Sequence, residues 1–119
     1  MPPIIFKIFV VILIVIGEGL AIYAEMTGAQ HYNIASQPFV PVFLKMFLLF
    51  AFAGGFLVGG YILGFNAFKN IWIVSVASIT SILIIEPTLA YIIFQQLPTK
   101  GAAIGLLLGL AGFIAAIFF

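Results

Sequence analysis

Cysteine is absent from this 119-residue chain, and so are arginine and aspartate. The lack of cysteine excludes disulfides, thiolate metal sites and thiol-based catalysis. Only four lysines and three glutamates carry charge, 6% of the residues, whereas a soluble domain has about a quarter. So few charges cannot cover a water-soluble surface. A net charge of +1 without a basic patch also argues against nucleic acid as a partner.

Apolar residues dominate instead, at 66% of the chain. They form four runs of roughly the 20 residues that a helix needs to cross a bilayer, at 4–24, 46–65, 71–94 and 101–119. Helices are expected because a lipid-facing backbone must satisfy its own hydrogen bonds. The sequence therefore predicts an all-α integral membrane protein. We expect a single domain, 1–119, of four transmembrane helices with both termini on the same side, multi-pass in the inner membrane of a prokaryotic cell.

The connection between the first two runs is much longer than the others. It reads EMTGAQHYNIASQPFVPVFLK and contains Pro38 and Pro41, which predicts an exposed loop followed by an interfacial stretch. Lys45 would snorkel from that stretch to the lipid headgroups. His31 lies in the loop with no second ligand near it in sequence, so no metal site is expected there.

An alternative interpretation makes the first run a signal peptide. Lys7 would be its basic start, and Gly19-Leu20-Ala21 a small-x-small cleavage site. The apolar run is long for a signal peptide, and Glu18 fits poorly within one. A transmembrane helix is therefore the preferred interpretation.

The lysines give no preferred orientation in the membrane. Lys7 and Lys69 fall on the side of the termini, and Lys45 and Lys100 fall on the other side. Because lysines in short loops set the direction of insertion, the tie leaves two interpretations open. Either few charges are balanced by chance, or the protein has dual topology and pairs as an antiparallel homodimer. Such a dimer would supply the inverted symmetry that many secondary transporters use for alternating access.

Glycines are spaced for close helix packing in two of the runs. In helix four, Gly101, Gly105 and Gly109 form two overlapping GxxxG steps, and Gly112 continues nearby. In helix two, GxxxG steps occur at 55/59 and 60/64. These steps let helix backbones approach in lipid. The steps are consistent with packing between helices of one chain. In helix four they are also consistent with a dimer interface, and both can hold for different helices.

Two of the three glutamates belong to the first run. Glu18 lies about 6 Å past the middle of this run, at a rise of 1.5 Å per residue. A charge in hydrocarbon costs about 2.5 kcal/mol or more, so Glu18 should face the protein interior or water. Glu18 is a candidate site that binds a proton and a cationic substrate alternately. The alternative is that its carboxyl group makes a structural hydrogen bond. Glu25 falls at the membrane edge and fits a solvated charge at a helix end.

Helix three contains the third glutamate and several hydroxyl groups. Glu86 precedes Pro87, which frees the carbonyl of Leu83 and kinks the helix. An acid beside a kink predicts a hinge at a cavity and a second candidate substrate or proton site, at about the height of Glu18. Ser75, Ser78 and Tyr91 of this helix are further candidates for lining a cavity. The expected hydrogen-bond donors for Glu18 are Ser75, Ser78, Thr80 and Ser81.

Half of the chain resembles a known family. The stretch GYILGFNAFKNIWIVSVASITSILIIEPTLAYIIF, followed by GAAIGLLLGLAGF, resembles the second half of an EamA-type domain of the drug/metabolite transporter superfamily. The matching positions are Glu86, Pro87, Gly105 and Gly112. This resemblance implies a transporter with a Glu-Pro in the helix before the last and a glycine-rich final helix.

The small size, the four helices and Glu18 in helix one resemble the small multidrug resistance transporters. That resemblance implies an antiparallel dimer, a helix-one glutamate that binds protons and cationic substrates, and dimerisation through helix four. The aromatic pair beside the binding site of that family is lacking, and Ser75 and Ser78 lie in its region. Other four-helix relatives help to flip lipid-linked sugars as paired subunits.

Two functions follow as expectations. The first is a small secondary transporter that exports a small cationic or amphipathic metabolite or drug in exchange for protons, as an antiparallel homodimer in membrane lipid. The alternative is a non-enzymatic subunit of a larger membrane assembly, such as a lipid-linked sugar flippase. The sequence has no nucleophile–base pair, metal cluster or phosphate loop, so neither an enzyme nor a cofactor is expected.

Overall fold

The computed structural model describes residues 3–119, which fold into four α-helices. They are α1 (Pro3–Asn33), α2 (Phe39–Phe68), α3 (Ile71–Phe94) and α4 (Lys100–Phe118). Each is long and apolar enough to cross a membrane. Even α4, with 19 residues, spans about 28 Å at 1.5 Å per residue. The prediction of an all-α, multi-pass membrane protein with four helices is confirmed, and the side on which the termini lie stays a prediction.

The predicted long loop between the first two helices is wrong. α1 continues past residue 24 to Asn33, and α2 begins already at Phe39, so that only residues 34–38 connect them. A hydropathy pattern marks the part of a helix that lies in lipid, whereas these two helices extend beyond it. The polar segment that suggested a loop is the end of α1.

Packing explains why both helices extend so far. Ala24 forms a buried cluster with Val42 and Met46 of α2, and a Cβ on Gly28 would lie 3.3 Å from Met46 Cγ. Small residues on α1 therefore let the two helix ends approach closely. Pro41 does not interrupt α2 because it occupies the first turn, where its missing N–H would have no partner within the helix.

The two remaining connections are as short as predicted. Lys69 and Gln95 end α2 and α3 in the left-handed conformation, with φ of 58° and 56°. Asn70 and Thr99 are the N-cap residues that directly precede α3 and α4. Each side chain accepts a hydrogen bond from a backbone N–H of the first turn. These caps satisfy donors that a helix start leaves free, and they hold the reversals of the chain tight.

α1 is the central helix and packs along both α2 and α3. The main core cluster consists of Val10, Ile14 and Val74, all with no exposed surface. Two glycines of α2 make this approach possible. A Cβ on Gly60 would lie 2.8 Å from Ile14 Cγ1, and one on Gly64 would lie 2.9 Å from Val74 Cγ2. The GxxxG step at 60/64 is therefore used within the chain.

α4 is packed very differently from the other helices. Among the helices of residues 3–119 it touches α3 alone, and over its whole length it has no buried residue. The molecule measures 48 × 34 × 17 Å. The shortest dimension is half of the next one, so the bundle is flattened. Both faces of this flattened layer are open to lipid or to another protein.

Candidate proton and substrate site

Glu18 is held between α1 and α3 by a hydrogen bond. The Ser78 hydroxyl donates to Glu18 Oε1 over 2.5 Å, and Ser78 is only 5% exposed. Of the expected donors, Thr80 and Ser81 instead donate to carbonyls of their own helix. A hydrogen bond to an ionised carboxylate is shorter and about twice as strong as one between neutral groups. Ser78 therefore positions Glu18 across the contact between α1 and α3.

The glycines beside Glu18 explain how α1 fits between its neighbours. A Cβ on Gly17 would lie 2.8 Å from Leu57 Cγ, so Gly17 lets α2 approach. A Cβ on Gly19 would lie 3.7 Å from Ile85 Cδ1 of α3. Glu18 is also the midpoint of α1 as observed, Pro3–Asn33, rather than a residue past the middle. The two glycines thus admit partner helices at the centre of α1.

Glu86 lies in a separate cavity of about 620 Å³ between α3 and α4. Pro87, Tyr91 and Gly105 share its lining, and Met26 of α1 closes one side. Glu86 is the one charged residue in this lining, which is otherwise mostly apolar. The cavity predicted beside the Glu-Pro pair is therefore present, with Tyr91 in its wall. Ser75 and Ser78 do not line it.

The structure separates Glu86 from Glu18 in height, so the expectation of equal heights is wrong. Ser78 lies beside Glu18, and Glu86 is eight residues further along α3, or about 12 Å at 1.5 Å per residue. A second link fixes the same register, since Gln30 Nε2 donates to the Ile93 carbonyl over 3.0 Å. Both links place Glu86 within about 3 Å of the height of Glu25.

Glu25 is an exposed side chain, as expected of a solvated charge, and it lies near Glu86 in height and two turns of α1 beyond Glu18. These three are all the acidic residues of the chain. Glu18 bridges α1 and α3, Glu25 lines the cavity between α1 and α2, and Glu86 lines the cavity between α3 and α4, all from the midpoint of α1 towards the end where α2 begins. A charge in a membrane is costly unless it is paired or functional, so this grouping marks the candidate site.

An aromatic wall faces Glu25 on the other side of α1. Glu25 lines a cavity of about 360 Å³ between α1 and α2, together with Tyr32, Phe39, Phe43 and Phe47. The ring centroids follow one another at 5.5, 5.6 and 5.9 Å. Aromatic faces beside a carboxylate attract organic cations. The four-residue spacing of the phenylalanines is the sequence signal for this wall, because it is the spacing of one helix face.

The predicted packing glycines of α4 divide into two groups. A Cβ on Gly109 would lie 3.1 Å from Leu83 Cδ2, so this residue packs against α3. At Gly101, Gly105 and Gly112 a Cβ would meet nothing within 4 Å. Most of the stripe is therefore open, and only Gly109 is used within the chain. Leu83 is the residue whose carbonyl Pro87 frees, so α4 rests on α3 one turn before the proline.

The arrangement suits exchange of ions better than metal chemistry. Within residues 3–119, no group of three or more His, Cys, Asp or Glu side chains is placed to hold a metal ion. What α1 and its neighbouring helices offer is three carboxylates, one hydroxyl donor and two largely apolar cavities. Such a set can bind protons and cations with apolar substituents.

The chain matches no protein-family model, no curated protein and no solved structure. The resemblance to the drug/metabolite transporter superfamily therefore stays a prediction, and the functional argument depends on the geometry of the α1–α3 interface.

Proposed function

We propose that this protein is a small secondary transporter that exchanges protons for a small organic cation or amphipathic metabolite. It acts as a transporter rather than as an enzyme, in the inner membrane of a prokaryotic cell. The observation that carries the proposal is the position of all three carboxylates on membrane-spanning helices, with Glu18 held between α1 and α3 and with Glu25 and Glu86 at about the same height in the neighbouring cavities. Intramembrane acids of this kind mark ion pathways and proton relays.

Glu18 is the proposed coupling residue. Its Oε1 accepts from Ser78, which leaves Oε2 as the atom that a proton or a cation would meet. A proton removes the charge that attracts the cation, and a bound cation stabilises the charge that a proton would remove. The two ligands therefore compete. Glu25 and Glu86 extend the same negative field towards the end of the layer, where a cation would enter or leave.

The flat shape supports an oligomer as the transporting unit. A layer 17 Å thick with open faces does not enclose a substrate path by itself. A second copy in the opposite orientation would close the path and would give the inverted symmetry of many transporters. The open glycines of α4 are the proposed contact, since small residues let membrane helices approach.

Proton-coupled transport in liposomes tests the function. Purified protein is reconstituted with a pH-sensitive dye inside, and a series of alkylammonium ions is added outside. The intact protein should move protons when the cation is added, and Glu18→Gln, which keeps the shape and removes the charge, should abolish this movement. Lys69→Gln is the control, because Lys69 lies at the opposite end of the layer from Glu25 and Glu86. Undiminished proton movement in Glu18→Gln would contradict the proposed role of Glu18 as the coupling residue.

The alternative function is a subunit of a larger membrane assembly, such as a lipid-linked sugar flippase. One observation favours it: α4, with no buried residue, could equally pack on a different protein. Mild extraction from native membranes distinguishes the two functions. A stable complex with a different membrane protein supports the alternative, and a homodimer alone supports the transporter.

A further inference from the structure

A small cavity lies at the corner where α1 ends and α2 begins. Its volume is about 190 Å³, and its lining includes His31, Gln37 and Lys45, together with Pro38 and Pro41. We propose that this corner is an anion site that takes a phosphate group. The phosphate can belong to the headgroup of an anionic phospholipid or can be free in solution. This proposal is independent of the transport function.

The charge of the cavity is the first argument. Its two ionisable lining residues, His31 and Lys45, both carry positive charge when protonated. None of the three carboxylates lines it: Glu25 lines the aromatic cavity on the other flank of the α1–α2 contact, and Glu86 lines the α3–α4 cavity. A lysine and a histidine that share a cavity without an acid in its wall favour an anion there over a cation.

The donor set suits phosphate in particular. An ammonium group offers three N–H donors, an imidazole offers one or two, and the Gln37 amide adds two more. Phosphate oxygens accept several charge-assisted hydrogen bonds at once. The cavity has room for roughly six water-sized volumes of about 30 Å³ each, which is enough for a phosphate group. No aromatic side chain lines it, so an organic cation is not favoured there.

A hydrogen-bonded turn and two prolines define the backbone of the corner. Ser36 adopts the left-handed conformation, with φ of 56°, and the Gln37 N–H donates to the His31 carbonyl over 3.0 Å. This turn brings Gln37 back over the end of α1. The prolines that follow have fixed φ angles, which lowers the entropy that binding must cost. Gly28 lets Met46, which also lines the cavity, approach α1 closely.

The depth of the corner favours the lipid surface. α1 has 31 residues and is about 46 Å long, whereas the hydrocarbon core is about 30 Å thick. His31 lies seven residues, or about 10 Å, beyond the apolar run that ends at residue 24, and Lys45 directly precedes the run that begins at residue 46. Lys45 can snorkel to the same level along its apolar stem. The site therefore opens at the height of the phosphate layer.

The test compares one lysine with another. Intact protein, Lys45→Gln and His31→Gln are placed in nanodiscs of phosphatidylcholine with added phosphatidylglycerol, and the lipids that stay bound are counted by native mass spectrometry. The control is Lys69→Gln, which removes the same charge at a different loop. The intact protein and the control should retain phosphatidylglycerol, and Lys45→Gln should lower retention roughly fivefold, the contribution of one lysine at an anionic surface. Equal melting temperatures establish that the variants are folded.

A second arm separates the two sources of phosphate. Inorganic phosphate alone is titrated calorimetrically into the detergent-solubilised protein and the same variants. If Lys45→Gln lowers the retention of phosphatidylglycerol, the site takes a lipid headgroup. If Lys45→Gln lowers only the heat of binding inorganic phosphate, and no lipid is retained, the site takes free phosphate. The proposal is overturned if Lys45→Gln and Lys69→Gln behave alike in both arms, whether both lose binding or neither does.

Discussion

Gly59 and Gly60 are neighbours in α2, yet they face opposite situations. A Cβ on Gly60 would lie 2.8 Å from Ile14 Cγ1, in the centre of the packed core, whereas a Cβ on Gly59 would meet nothing within 4 Å. The same contrast separates the helices. α1, α2 and α3 pack closely because side chains fill the space beside some of their glycines, whereas most glycines of α4 have no neighbouring atoms at the position of a Cβ. A GxxxG step thus shows that a helix can approach closely, and only the structure shows what it approaches.

The largest expected effect is at the closed member of the pair. Gly60→Leu should lower the free energy of unfolding by about 3 kcal/mol, the upper end of the usual overpacking cost. Ile14 is fully buried and branched at Cβ, so it cannot turn away. Unfolding in mild detergent by titration with sodium dodecyl sulfate measures this change.

Gly59→Leu is the matched control, one residue away on the same helix. It should change stability by less than about 0.5 kcal/mol, as an open surface position does. Equal effects of the two substitutions would contradict the division into a closed and an open face.

The second-largest expected effect concerns the hydrogen bond from Ser78 to Glu18, which joins α3 to α1. Ser78→Ala should lower the free energy of unfolding by about 1–2 kcal/mol, because it leaves the Glu18 carboxylate without its donor. The detergent titration described for Gly60 measures this change too. Ser81→Ala is a close control, because Ser81 is also 5% exposed but donates to the Ala77 carbonyl of its own helix. If Ser81→Ala destabilised the protein as much as Ser78→Ala, burial rather than the link to Glu18 would explain the loss.

Hydropathy predicted the four helices, because 66% apolar residues in four runs leave few alternatives for a backbone in lipid. It could not predict where α1 ends or where α2 begins. Their ends lie outside the apolar runs and are held by contacts such as Gly28 on Met46. The signals were present in the spacing of Ala24 and Gly28 and in the phenylalanines at 39, 43 and 47, which continue a helical period.

The candidate site was predictable in its residues but not in its geometry. A glutamate in an apolar helix is conspicuous, so Glu18 and Glu86 could be selected from the sequence. Their relative height could not, because it depends on how far α1 slides along α3, and each residue of sliding moves a side chain by about 1.5 Å. The Ser78 and Gln30 hydrogen bonds fix that register. With the register fixed, Glu86 pairs in height with Glu25 and not with Glu18.

The smallest effect on the folded chain, and the sharpest test of the open face, is expected at Gly112. A Cβ there would meet nothing within 4 Å, so Gly112→Leu should change the free energy of unfolding by less than about 0.5 kcal/mol. If α4 is the seam of a dimer, the same leucine should separate the two backbones and lower the dimer fraction, measured by energy transfer between labelled copies in detergent. Gly55→Leu is the control, because Gly55 is equally open but belongs to α2. Loss of the dimer in Gly55→Leu alone would move the seam to α2, and an unchanged dimer fraction in both variants would remove the open glycines from the interface.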